Sequence, residues 1–149
     1  MVFVNPEGTG QALEILLVED SLLDAKLTIE SLKHCGIHHR LSFFRDGKES
    51  LQFLNREGVY ARAPKPGVIL LDLLLPDMQG VDLLRRIRES VSVANIPVVI
   101  LTSSDDDTDQ NECEKLGVSS YIRKPFNEEK FLAVIRRIKG LSLAVEASV

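Results

Sequence analysis

The sequence predicts an α/β protein, a doubly wound five-stranded parallel sheet with helices on both faces. Two observations carry that expectation. Short apolar runs alternate with stretches of helical spacing five times along 149 residues, the pattern of repeated strand–helix units. The run Val68-Ile-Leu-Leu71 passes unbroken into Asp72, opened by Gly67 and followed by the turn residues Pro76 and Gly80, and reads as a strand buried on both faces. In a right-handed wound sheet the carboxyl ends of the strands share one edge, and that edge is where such sheets place their chemistry.

Each element follows in order. Residues 1–13 contain Pro6, Gly8 and Gly10 without periodicity and are expected to be a flexible tail. Gly8-Thr9-Gly10 is no phosphate loop, because it precedes the first strand instead of joining strand to helix. Glu14 to Val18 is a strand ending in Glu19-Asp20. Ser21 to Cys35 has helical spacing and is stopped by Gly36. Arg40 to Phe44 is a short strand, and Asp46-Gly47 turns the chain into a helix from Lys48 to about Arg56. Residues 57–67, with two prolines and two glycines, form a loop. The third strand ends at Asp72 and is followed by a helix over Val81 to Ser90. Ile96 to Leu101 is the fourth strand, ending at Thr102. A polar helix, Asp106 to Leu116, is closed by Gly117. Ser120 to Arg123 is the fifth strand, ending at Lys124-Pro125, and Asn127 caps a last helix to about Lys139. Residues 14–140 therefore read as one domain, and 141–149 as a tail too short for another.

Composition narrows the function. The chain is 44% hydrophobic and 27% charged, the balance of a soluble domain with a real core. Its net charge of −4 gives no support to nucleic-acid binding. No apolar run is long enough to span a bilayer, and the first residues lack the basic and apolar regions of a signal peptide. Cys35 and Cys113 show no metal or redox spacing, which fits a cytoplasmic protein with reduced thiols.

The polar groups at the strand ends line up. Glu19-Asp20, Asp72, Thr102 and Lys124 all fall on the expected edge. Three crowded carboxylates repel unless a cation joins them, and hard oxygen ligands suit Mg²⁺. A lysine and a hydroxyl opposite suit a phosphoryl group, and aspartate carboxylates form aspartyl-phosphates. Other clusters carry less. His34, His38 and His39 are interrupted by Gly36 and read as solvated turn histidines. Asp105-x-Asp107-x-Asp109 opens like a calcium loop, but Gln110 and Leu116 stand where glycine and glutamate are needed.

This set of residues, in this order and over about Glu14 to Lys139, resembles the receiver domain of two-component response regulators. The resemblance implies the flavodoxin-like strand order 2-1-3-4-5. It implies that Asp72 attacks the phosphohistidine of a sensor histidine kinase. Asp20, Asp72 and the backbone carbonyl of Leu74 would ligate Mg²⁺, with Glu19 acting through a bound water. Thr102 and Lys124 would hold phosphoryl oxygens, Lys124–Pro125 would be cis, and Tyr121 would be the aromatic switch that follows Thr102. Cys113 falls where the family buries a small residue. Such a protein catalyses only its own phosphorylation and dephosphorylation and passes the signal to a downstream protein. The segment Val18-Glu-Asp-Ser21 and the long loop Asn55 to Gly67 are similar to the small regulators that accompany cyanobacterial and other bacterial phytochrome kinases, which often carry Asn where this chain has Leu74. By the same resemblance the first helix docks on the kinase; helical spacing puts Leu27 and Leu32 toward the core and Leu22, Ala25 and Ile29 on a neighbouring face, a stripe that either stays open for that docking or also packs inside, under the N-terminal tail. A homodimer would form through the fourth helix, fifth strand and fifth helix, where acidic residues face Lys130, Arg136, Arg137 and Lys139. Two other readings stand beside this one: a phosphorylation-independent dimeric scaffold, and a Mg²⁺-dependent aspartyl-phosphate phosphatase. The haloacid-dehalogenase type of phosphatase would need an Asp at the position of Leu74.

Overall fold

The computed structural model describes residues 2–4, 12–103 and 107–138. Its strands are β1 (Val2–Val4), β2 (Leu13–Val18), β3 (His39–Phe44), β4 (Val68–Asp72), β5 (Val98–Thr102) and β6 (Ser120–Arg123). They form one sheet in the order β1-β3-β2-β4-β5-β6. From β2 onward every pairing is parallel, so the five parallel strands, counted in chain order, stand as 2-1-3-4-5. The helices are α1 (Leu22–Lys33), α2 (Gly47–Leu54), α3 (Gly80–Glu89), α4 (Asp107–Lys115) and α5 (Glu128–Ile135).

β1 corrects the expected flexible tail. Val2, Phe3 and Val4 pair antiparallel with Phe43, Ser42 and Leu41. The cause is the edge of the parallel sheet: β3 would otherwise leave a row of backbone N–H and C=O groups unpaired, and β-branched and aromatic residues suit the vacancy beside it. The rest of that tail, residues 5–11, together with Asp105, Lys139 and the tail at 141–149, lies outside the described residues.

Side-chain alternation along the strands builds two cores. Ile15, Leu17, Leu70, Val99 and Leu101 join Ala25, Leu32, Phe131 and Ile135 of α1 and α5 on one face. Leu16, Val18, Ile69, Leu71 and Ile100 join Phe53, Leu83, Leu84, Ile87 and Cys113 of α2, α3 and α4 on the other. Because both faces are covered, β4 is buried along its whole length, as its unbroken apolar run requires.

Caps set the helix starts. Ser21, Asp46 and Asn127 each accept a hydrogen bond from the backbone N–H three residues on. Gly36, at φ +77, turns the chain after α1. Two sequence expectations change here. On α1 it is Ala25, Thr28 and Leu32 that are buried, while Leu27 is exposed with Leu22 and Leu23; Ile29 is half-buried against the core. His38 and His39 are also buried instead of solvated. The strand begins earlier than its apolar run suggests, and His39 Nδ1 sits 2.7 Å from the carbonyl of Ile37. The loop after α2 is anchored by Tyr60, whose ring packs on Phe44 and Phe53 and whose hydroxyl donates to Glu49.

At the end of the molecule opposite the carboxyl ends of the strands, Arg88 ties three segments together. Its guanidinium donates to the carbonyls of Leu116 (2.7 Å), Ala94 (3.0 Å), Ile96 (2.8 Å) and Gly117 (3.2 Å). The fixed fork of donors lets one side chain close α3, the turn before β5 and the C-terminal end of α4.

Candidate functional site

The carboxyl ends of β2, β4, β5 and β6 place Glu19, Asp72, Thr102 and Lys124 on one edge, as the sequence predicted. Glu19 follows β2 and is fully buried. Asp72 is the last residue of β4 and is 7% exposed. Thr102 ends β5, and its carbonyl accepts from the backbone N–H of Lys124 at 2.8 Å, which locks the two positions side by side. The Lys124–Pro125 peptide is cis.

Lys124 is the centre of the cluster. Its Nζ lies 2.8 Å from Glu19 Oε1, 2.9 Å from Asp24 Oδ2 and 3.0 Å from Asp72 Oδ2. The contacts to Asp24 and Asp72 are aligned hydrogen bonds. The approach to Glu19 is close without that alignment, so Glu19 Oε1 is a buried acceptor lacking a hydrogen-bond partner. Asp72 Oδ1 accepts from the backbone N–H of Leu74 at 2.9 Å. Burial pushes the Glu19 carboxyl up to about 8, reinforced by Asp72 and only partly opposed by Lys124. Burial also acts to raise Asp72. Its hydrogen bonds with Glu19, Leu74 N–H and Lys124 outweigh that and hold it below the ordinary carboxylate range. For Lys124, burial favours the neutral amine, but Glu19, Asp24 and Asp72 together raise it further above its ordinary value.

The loop from Leu73 to Gly80 presents Leu74 beside Asp72. Gly80 N–H closes the base of this loop on the carbonyl of Leu73 at 2.9 Å. Its tip is held by Asp77, whose two carboxylate oxygens accept from Gly47 N–H and Lys48 N–H, each at 2.9 Å, at the start of α2. Leu74 itself is 74% exposed, so its backbone is fixed by its neighbours and not by its side chain.

The predicted Mg²⁺ ligands are partly assembled. Glu19 and Asp72 come together around Lys124, and Leu74 meets Asp72 through its N–H, whereas Asp20 is half exposed and leans toward Arg45, with Oδ1 3.6 Å from Nη2. Arg45 is held there by two bonds to the Asp20 carbonyl, at 3.1 and 2.9 Å. Among the described residues no three acidic, histidine or cysteine side chains converge as a ready cage. The donor chemistry nevertheless fits a hard cation: Glu19 Oε1, ion-paired with Lys124 but without an aligned hydrogen bond, and the Asp72 carboxylate are oxygen ligands, and Asp20 is held in a loose, exposed ion pair. Tyr121 lies half-buried on β6, its hydroxyl donating to the carbonyl of Gln110 in α4 at 2.9 Å.

Sequence reasoning missed Asp24, Asp77 and Arg45. Asp24 was hidden because Ser21-x-x-Asp24 looks like a helix-capping pair. Asp77 lies in a turn where an acidic residue needs no special reason.

Known proteins share this sequence pattern and this fold. The response regulator receiver domain model matches residues 15–136. The response regulator Rcp1 of Synechocystis sp. is 38% identical over 129 residues, covering 87% of this chain and 88% of Rcp1. The solved structure of the Mn(2+)-bound form of Rcp1 superposes with a TM-score of 0.74 at 36% identity, covering 89% of this chain and 99% of that one. The bacteriophytochrome response regulator RtBRR superposes with a TM-score of 0.81 at 38% identity, over 93% of this chain and 84% of that one. The phosphorylated cyanobacterial phytochrome response regulator RcpA gives 0.77 at 34% identity, over 89% and 99%. With its five parallel strands in the order 2-1-3-4-5 and an acidic edge closed by lysine, the chain belongs to the response regulator receiver family.

Proposed function

We propose that this protein is a phosphorylation-controlled switch in which Asp72 accepts a phosphoryl group from the phosphohistidine of a sensor histidine kinase. In the transfer the P–N bond to the kinase imidazole breaks as a P–O bond forms to an Asp72 carboxylate oxygen. Asp72 is suited to attack because it is held ionised at the closed end of a buried strand. Lys124, already on its oxygen, and Thr102, tied to Lys124 through the backbone, would receive the phosphoryl oxygens. Mg²⁺ bound by Asp20, Asp72 and the Leu74 carbonyl, with Glu19 acting through water, would neutralise the charge that gathers there. The Mn(2+)-bound form of Rcp1 supports the binding of a divalent ion in this reading. The single observation that carries the reading is the Lys124 ammonium bridging Asp72 and Glu19 across the strand ends.

The kinase in this reading is a phytochrome, supported by the names of RtBRR and RcpA. The protein acts in the cytoplasm as a receiver unit over residues 14–140. It catalyses only its own phosphorylation and dephosphorylation, and it signals to a downstream protein through Thr102 and Tyr121. No helix of the described residues is long and apolar enough to cross a membrane. The test is labelling with a small acyl-phosphate donor and Mg²⁺, followed by intact mass. The wild type should gain one base-labile phosphoryl group, and Asp72→Asn none while keeping its fold. Wild-type labelling in the variant would remove Asp72 as acceptor, rapid multiple turnover would favour a phosphatase, and an unlabelled wild type would favour a scaffold.

A further inference from the structure

The geometry points to Asp24 as a positioning residue for Lys124, one that shares the ammonium with Asp72 and sets how freely it can turn to a phosphoryl oxygen. Asp24 stands in the first turn of α1, three residues after the cap Ser21. In a reciprocal capping pair its carboxylate would return to the N–H of Ser21. Here that N–H is directed instead to Glu19 Oε2, at 3.4 Å. Ser21 Oγ still accepts from Asp24 N–H at 3.2 Å, so the helix keeps its cap while the Asp24 side chain is released to reach Lys124. The result links α1 to the end of β6 across the site, with a carboxylate oxygen 2.9 Å from Nζ on one side and that of Asp72 3.0 Å on the other. The lysine side chain is 15% exposed, and Asp24 is the more solvated of the two carboxylates that bond it.

Two consequences follow from the charges. A lysine bonded to both carboxylates is restrained at the middle of the site and does not collapse fully onto Asp72. A negative group opposite Asp72 also offsets the positive charge of Lys124, which keeps the edge attractive to a divalent cation. When Asp72 carries a phosphoryl group, Asp24 competes with the phosphoryl oxygens for the same ammonium. This role rests on the function proposed above for Asp72 and Lys124, but the holding of Lys124 can be measured without phosphate, metal or kinase.

The experiment is acylation of the purified full-length protein with acetic anhydride, quantified by mass spectrometry at Lys124 relative to the exposed Lys26 and Lys48. Lys124 should be protected in the wild type. Asp24→Asn and Asp24→Ala should raise its labelling several-fold, and Asp24→Glu, which keeps a carboxylate within reach, should restore protection. Thermal melts confirm that each variant is folded. Unchanged Lys124 labelling in Asn and Ala variants would overturn the assignment. So would an equal rise in all three, which would mean only that the α1–β6 edge had loosened. In parallel, Asp24→Asn should lower Mg²⁺ affinity by calorimetry and lengthen the lifetime of the phosphorylated form. A wild type that takes no phosphoryl group would defeat the proposed function while leaving the Lys124 labelling to decide the role of Asp24.

Discussion

A missing side chain can matter as much as a charged one. At Gly80 a Cβ would lie 2.4 Å from the Cα of Leu73 and 2.9 Å from its carbonyl oxygen, both backbone atoms that cannot give way. Gly80→Ala should therefore cost about 1–3 kcal/mol of stability, by analogy with overpacking of a filled site, read as a lower midpoint in urea. An unchanged midpoint would show that the loop base is softer than its geometry implies. At this scale the strand-end residues were legible, because Glu19, Asp72, Thr102 and Lys124 each close an apolar run that identifies its own end. Asp24 and the two histidines were not. Their burial and partners depend on which segments pass over them, and spacing along the chain does not encode that.

Between residues and the whole stand the elements, and here legibility followed length. Val68 to Asp72 and Ser120 to Arg123 emerged with the bounds expected. The three residues of β1 are too few to show alternation, and only the unpaired edge of β3 explains them. The face of α1 was misjudged because Leu22, Leu23, Leu27, Ile29 and Leu32 surround much of the helix, so no single stripe stands out. The loop between β4 and α3 supplies an element-level prediction. Asp77 caps α2 from outside it; burial acts to raise its carboxyl, but the backbone N–H groups of Gly47 and Lys48, with those of Asp77 and Met78, outweigh it and hold the carboxyl below the usual range. Asp77→Ala should remove about 1 kcal/mol, the usual worth of a helix cap. It should also speed amide exchange at Gly47 and Lys48 ahead of the rest of α2. Uniform exchange across α2 would argue against the clamp.

For the whole molecule, the acidic edge makes stability depend on pH and metal together. Glu19 is raised from an ordinary 4.5 to about 8, so without metal the folded state holds a proton that the unfolded chain releases. That stability is present below 4.5 and is lost as pH rises through about 8. Asp72, held low, acts in a separate window and loses its contribution only on acidification below its ordinary 3.8. The metal-free melting temperature should fall between mildly acidic and alkaline pH, and Mg²⁺ should flatten the fall by binding the native state. A flat metal-free profile would count against the paired carboxylates. A second prediction concerns assembly through α4, β6 and α5. Lys130 donates to the carbonyls of Arg123 and Pro125 at 3.0 Å each and keeps its charge, so with the exposed Arg136 and Arg137 it supplies the positive residues of that face, and α4 supplies the acidic ones. We expect a homodimer that salt weakens, and sedimentation showing monomer alone at low salt and tens of micromolar protein would exclude it. Arg88, finally, gives any motion of α4 a geometry. It moors the carbonyls of Leu116 and Gly117, just past the end of that helix, to α3, while the first turn follows the strand that ends in Thr102. Were α4 displaced from the Thr102 side, this mooring would be its pivot and its N-terminal turn would travel furthest.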